Sequence, residues 1–227
     1  MRAAFGLMCK PPRPGAGKTR LAAGIGAAEA ARLAAAFLAD SAELLREVAA
    51  RFGAAHIAFH AGPAAEIAPH LPGWTLEEQG EGDLGARMAA AFDALFATGA
   101  RAAVLIGTDA PTLPPALLEL LPPLLAGSAD AALIPALDGG YCAIALPRPQ
   151  PALLRDLPWS TPALLEATRA RAAAEGLRLA VLDAWFDVDA AGDIAPLRAS
   201  LDGLVPLGCS PLPPFRASRT RDALSSK

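Results

Sequence analysis

Apolar and polar positions change their spacing repeatedly along the 227 residues, and each change marks an element. Residues 3–9 form a short apolar run that stops at Lys10 and a cluster of prolines, which reads as a first strand followed by a loop over 10–20. Between residues 27 and 51 the spacing lengthens. Leu33, Phe37, Leu44 and Val48 recur every three or four positions, with Glu29, Arg32, Glu43, Arg46 and Glu47 largely elsewhere, predicting one long helix. Residues 54–59 read as a second strand, 64–71 as at most a short helix, and 75–78 as another strand. Leu84, Met88, Phe92 and Leu95 stripe a helix over 84–97, with Asp83 placed to cap it. Residues 102–106 are apolar and rich in β-branched side chains, as expected of a strand buried on both faces. That strand ends on Gly107-Thr108-Asp109, and Pro111 prevents simple continuation.

The alternation continues with a helix from Pro114 to 125, strands over 130–135 and 141–146 flanking Asp138-Gly139-Gly140, and a helix from Thr161-Pro162 that Gly176 stops. A strand over 179–182 and a helix over 194–201 complete the pattern. Strands alternating with helices imply an α/β fold with a mostly parallel sheet covered on both sides. Residues 1–201 read as one domain, and the Pro/Ser/Arg mixture of 202–227, lacking periodicity, as a flexible tail.

Composition narrows the classes. More than half the residues are apolar, enough for a substantial core. A formal net charge of −3 argues against a general nucleic-acid or anionic-membrane binder. Cys9, Cys142 and Cys209 are far apart and odd in number, so they support neither a zinc ribbon nor a disulfide framework, and a reducing cytoplasm is expected. The apolar run at 3–9 is too short for a signal peptide, and no stretch approaches the roughly 20 residues of a spanning helix.

Charged residues gather where strands end. Asp109, at the carboxyl end of a buried strand, sits where open α/β sheets bind ligands and is a candidate for holding a metal, although it could instead cap the helix that follows. Lys10, Arg13, Lys18 and Arg20 crowd one glycine-containing loop suited to a diphosphate. That loop is no P-loop, because GxxxxGK[ST] needs glycine where Pro12 stands. Around Gln79-Gly-Glu-Gly-Asp83, glycines let backbone approach a ligand, while Arg87 could pair with Asp83 across one helical turn. Asp138-Gly-Gly-Tyr141 is by itself a hairpin signal. Asp187 and Asp189 share a face if their segment is extended, giving paired oxygens suited to Mg²⁺ or Mn²⁺; Asp189 or Asp193 could equally cap the last helix. His56, His60 and His70 show no ligand spacing.

Together these segments resemble a known family. Met8-Cys-Lys-Pro-Pro-Arg-Pro-Gly-Ala-Gly-Lys-Thr-Arg-Leu21 resembles its K-x-P-x-x-G-x-x-K-T-R-L signature, and residues 79–88 its Q-x-x-G-D-L-G-x-R-M segment. Gly107-Thr-Asp-Ala-Pro111, Asp138-Gly-Gly-Tyr141, Pro158-Trp-Ser160 and Asp187-Val-Asp189 follow in the family's order. The family is the uncharacterised-domain group of glycosyltransferase-A-like nucleotide-diphospho-sugar transferases, which includes glycosyltransferase-like proteins of arsenosugar- and selenium-associated gene clusters. The resemblance covers residues 5–201. It implies a three-layer α/β/α sandwich and a metal-dependent transfer of a glycosyl group from a nucleotide-diphospho-sugar to a small acceptor. The same fold also serves nucleotidyltransferases that use a nucleoside triphosphate and release pyrophosphate. By resemblance, Asp109 and an aspartate of the 187–189 pair would hold Mg²⁺ or Mn²⁺. Lys10, Arg13 and Lys18 would neutralise the diphosphate, and Gln79, Gly82 and Arg87 would lie near the nucleotide. Asp138 would face the acceptor.

Overall fold

The structure is a computed structural model that describes residues 2–15 and 17–225; Ala16 of the basic loop and the last two residues of the 202–227 segment lie outside it. Seven strands form one sheet in the order β3-β2-β1-β4-β6-β5-β7. β1 (Ala3–Cys9) lies between β2 (Ala55–His60) and β4 (Ala102–Ile106), parallel to both, and β3 (Thr75–Glu78) extends the edge beyond β2. On the other side, β6 (Tyr141–Leu146) runs antiparallel between β4 and β5 (Ala131–Pro135), and β7 (Leu179–Val181) is parallel to β5. The expected α/β/α sandwich with a mostly parallel sheet is what forms, with β6 as the one reversed strand.

That order has a consequence for function. From β1 the chain first builds outward through β2 and β3, then returns to lay β4 on the opposite flank. The carboxyl ends of β1 and β4 therefore splay loops in opposite directions and leave a crevice between them. Because β6 is antiparallel, its amino end points to the same edge, carrying the Asp138 turn there.

Helices cover both faces. α2 (Ala27–Arg51), α5 (Pro115–Gly127) and α8 (Ile194–Leu201) bury Leu33, Phe37, Leu44, Val48, Leu117, Leu121 and Leu197 on one side. On the other, α4 (Leu84–Ala97), the short α6 (Pro151–Leu154) and α7 (Leu164–Ala174) bury Met88, Phe92, Leu95, Leu153 and Ala172. The expected stripe of α4 is thus its buried face, apart from Leu84, which stays partly exposed. Asp83 does cap this helix, its Oδ1 accepting from Ala86 N at 2.8 Å. The expected pairing of Arg87 with Asp83 does not form; Arg87 Nε donates instead to Gly82 O at 3.0 Å, because Asp83 is committed to the cap.

Two segments depart from the sequence expectation. The loop predicted over 10–20 ends early, as Thr19 opens a short helix, α1 (Thr19–Ile25), with Leu21 buried. The segment after residue 201 is not a loose tail over its described length. Phe215, Ala217 and Leu224 are buried, and α9 (Ser218–Ser225) packs on α2. The anchor is Asp40, a buried carboxylate of α2 that accepts from Arg219 N at 3.2 Å and Thr220 N at 2.7 Å, capping a helix of another part of the chain. Sequence periodicity cannot register such a cap, which comes from a residue 179 and 180 positions before the two amides it meets. No helix among the described residues is long and apolar enough to cross a membrane.

Candidate functional site

The crevice at the ends of β1 and β4 holds most of the candidate residues. Its floor begins where Gly107 and Thr108 leave β4 and turn into Asp109. The chain from Trp185 to Asp189 runs alongside: in the parallel bridge of Trp185 to Ala136, Trp185 N donates to Pro135 O at 2.9 Å and Leu137 N to Trp185 O at 3.0 Å, and Val188 N donates to Asp109 O at 2.8 Å. Three backbone bonds thus fix the 185–189 segment against both the β4 loop and the β5–β6 turn. Asp109, Asp138, Asp187 and Asp189 converge from three distant stretches of sequence.

The turn that carries Asp138 is held tightly. Asp138 Oδ1 accepts from Gly140 N at 2.8 Å. Gly139 adopts φ +94°, and a Cβ there would lie 2.2 Å from Pro162 O, so both the conformation and the close approach demand glycine. One carboxylate oxygen from each of Asp138, Asp187 and Asp189 comes within 4.8 Å of the others. Burial, then repulsion from Asp138, Asp189 and Asp109, pushes the Asp187 carboxyl up to about 7.

Lys18 reaches the same cluster from the basic loop. Its Nζ lies 2.7 Å from Asp109 Oδ1, 2.8 Å from Asp189 Oδ1 and 2.5 Å from Val188 O. Burial opposes its charge, but the two carboxylates outweigh that and raise its pKa. Arg20 adds a 2.6 Å bond to Asp189 Oδ2. Asp193 Oδ2 accepts from Asp189 N and Ala190 N at 2.8 and 2.7 Å, so Asp193 ties down the turn that leads into α8. The carboxylate grouping therefore differs from the expected Asp109–Asp187–Asp189 set. Asp138 stands with the 187–189 pair, while Asp109 is bridged to Asp189 through Lys18 Nζ.

Two adjoining spaces open on this centre. A cleft of about 310 Å³ carries the charged side chains of Lys10, Lys18, Asp109 and Asp189 together with Gln79, among apolar neighbours. An apolar chamber of about 210 Å³ lies on the other side, reaching Asp109 and Asp187. Met8, Leu84, Gly107 and Asp109 line both, so the two spaces meet at Asp109. Gln79 is buried, and its Nε2 donates to Cys9 O at 3.0 Å and Phe59 O at 2.9 Å, which braces the ends of β1 and β2 beside the cleft.

Other candidates are not brought in. Arg13 is exposed and pairs with Glu66 at 3.5 Å, and neither Arg13, Gly82 nor Arg87 lines either space. The histidines the sequence left unassigned stay outside too: His56 lies edge-on to Trp74, and buried His60 places Nδ1 2.8 Å from Gly62 O. Sequence reasoning missed the chamber wall of Met8, Met88, Leu105, Ile144 and Trp159. The signal available was Trp159 in the Pro158-Trp-Ser160 motif and Tyr141, the chain's only tyrosine; their rings stand edge to face at 6.2 Å.

The profile of a family described as an uncharacterized protein conserved in bacteria (DUF2064) matches residues 43–161. No curated protein sequence matches the chain. Among solved structures, a protein of Desulfovibrio desulfuricans G20, provisionally assigned as a nucleotide-diphospho-sugar transferase, is 26% identical, with TM-score 0.82 over 99% of this chain and 96% of that one. A cytidylyltransferase of Leptospira borgpetersenii serovar Hardjo-bovis is 15% identical with TM-score 0.57, covering 99% of this chain and 93% of that one. A CMP:2-keto-3-deoxy-manno-octonic acid synthetase complexed with CTP is 14% identical with TM-score 0.55, covering 89% and 99% respectively. The last two show the same fold.

Proposed function

We propose that this chain, which belongs to the DUF2064 family of uncharacterized bacterial proteins, is a transferase that moves a glycosyl group from a nucleotide-diphospho-sugar to a small acceptor with the help of a divalent cation. The observation that carries this reading is the convergence of Asp138, Asp187 and Asp189 beside a lysine-bearing loop at the crevice between β1 and β4. Likeness to the Desulfovibrio protein supports the same class of donor.

In this reading the cleft takes the nucleotide diphosphate. Lys10 and Lys18 face its phosphates, and Gln79 keeps the cleft wall rigid on the nucleotide side. The donor set fits a hard divalent ion. Carboxylate oxygens are the preferred ligands of Mg²⁺ and Mn²⁺, and Asp187, lifted to about 7 by burial first and then by Asp138, Asp189 and Asp109, stands among carboxylates of which Lys18 and Arg20 engage Asp189. Asp187 and Asp189 would hold the cation. When bound, it would offset charge developing on the departing diphosphate.

The protein's own contribution is positional and electrostatic. Lys18, clamped by Asp109, Asp189 and Val188 O, holds one positive charge at the boundary between cleft and chamber. Asp138 is exposed and keeps one oxygen on its own turn, which leaves the other to receive a proton from an acceptor hydroxyl.

The test is product identity. Full-length protein, Mn²⁺, a panel of nucleotide-sugars and a small alcohol are incubated and the nucleotides resolved by anion-exchange chromatography. Nucleoside diphosphate should accumulate, and Asp187→Asn should slow it by roughly a hundredfold or more. Pyrophosphate formed from nucleoside triphosphates, with nucleotide-sugars left intact, would replace glycosyl transfer by nucleotidyl transfer.

A further inference from the structure

The chamber beside the carboxylates is chemically lopsided. Met8, Met88, Leu105, Ile144 and Trp159 supply apolar walls, and Asp109 and Asp187 are the charged groups that line it. Among the described residues neither lysine nor arginine lines it, whereas the adjoining cleft is lined by Lys10 and Lys18. A phosphorylated or carboxylated acceptor in the chamber would face Asp187 directly, and Asp109, whose one cationic contact, Lys18 Nζ at 2.7 Å, comes from the cleft side. A neutral molecule would lose nothing by entering. Size points the same way: a cavity of about 150 Å³ admits benzene, and this one holds about 210 Å³.

We infer that the chamber seats the apolar body of a neutral acceptor alcohol, of about the size of one six-membered ring with a short substituent, and excludes anionic acceptors. The inference rests on the transferase reading above and names its acceptor class. With the ring among the methionines and Trp159, the hydroxyl reaches the junction at Asp109, where the cleft delivers the donor sugar. The acceptor oxygen forms a bond to the anomeric carbon as the bond from that carbon to the diphosphate oxygen breaks. The nucleoside diphosphate leaves with the electron pair, and the hydroxyl proton passes to the carboxylate cluster, whose Asp109 and Asp187 line the chamber. Such an acceptor is the product of a reaction class that generates or exposes an alcohol on an apolar skeleton.

Leu84 offers the means of testing it. It opens α4, is 39% exposed, and lines both chamber and cleft, so a substitution there keeps the fold while changing the charge at the mouth. Binding of benzyl alcohol and of benzyl phosphate to the full-length protein is measured by ligand-observed NMR titration, alongside a nucleotide-sugar. Benzyl alcohol is expected to bind at least tenfold more tightly than benzyl phosphate. Leu84→Arg is expected to shrink that ratio severalfold, and Leu84→Gln to leave it near the wild-type value. Equal or tighter binding of benzyl phosphate overturns the inference, as does failure of both probes on protein that binds a nucleotide-sugar. Discrimination for the alcohol without binding of any nucleotide-sugar would instead strike the transferase reading and leave the chamber's preference for neutral ligands standing.

Discussion

Divalent-cation affinity should rise about tenfold between pH 6 and pH 8, and the cause can be traced to Asp187. Its carboxyl is pushed up to about 7 by burial first, then by Asp138, Asp189 and Asp109. A proton and a cation compete for the same oxygens. With a midpoint near 7, about 9% of Asp187 is ionised at pH 6 and about 91% at pH 8, so the apparent dissociation constant falls by about tenfold across that interval. Lys18 does not confuse the result, because Asp109 and Asp189 keep its pKa raised and its charge constant there. The assay is a Mn²⁺ titration followed by electron paramagnetic resonance at each pH. Asp187→Asn should bind more weakly at pH 8 and lose the slope. Affinity that stays flat in the wild type, or a slope that survives in Asp187→Asn, would refute the assignment of Asp187 as the titrating ligand. Without a cation the sign reverses for stability. The folded state retains a proton that the unfolded chain has shed, so stability present below about pH 4 declines as the pH rises through about 7.

Other outcomes test separate parts of the structure. Lys18→Met should weaken nucleotide-sugar binding by roughly 10–100-fold, the worth of a charge-assisted hydrogen bond, while Mn²⁺ binding holds or tightens because a competing cation has left Asp189; isothermal titration with each ligand distinguishes the two. Gly139→Ala places a Cβ against Pro162 O at φ +94° and should cost about 2 kcal/mol or more, seen as a lowered melting temperature. Asp40→Ala strips the acceptor from Arg219 N and Thr220 N and should cost about 1–3 kcal/mol, with hydrogen exchange accelerating in α9 before the sheet.

The strands and long helices were legible because their periods are intrinsic to short windows of sequence. The stripe of Leu33, Phe37, Leu44 and Val48 gave α2, and the apolar run before Gly107 gave β4. What escaped depended on partners far along the chain. α9 needs Asp40, α1 is held against the 191–193 turn (a Cβ on Gly24 would lie 2.4 Å from Ala191 Cβ), and the chamber wall is gathered from β1, α4, β4, β6 and Trp159. The carboxylates were individually visible, but their grouping was not. Only the antiparallel insertion of β6, which carries the 138–140 turn to the carboxyl edge, brings Asp138 to Asp187 and Asp189 and leaves Asp109 to Lys18. Two basic residues stand apart for the complementary reason. Arg13 and Arg87 lie close in sequence to cleft residues, yet Glu66 and Gly82 O engage them elsewhere.

The most direct test of a cation-assisted nucleotide-sugar site is thermal unfolding of the full-length protein against a panel of nucleotide-sugars, with Mn²⁺ or with chelator. A donor at about 100 times its dissociation constant adds about 2.7 kcal/mol, or about 5–10 °C for a domain of this size. The expected result is such a shift for at least one nucleotide-sugar, dependent on Mn²⁺ and lost in Asp187→Asn. No shift with any nucleotide-sugar, or the same shift in chelator and in Asp187→Asn, would contradict it.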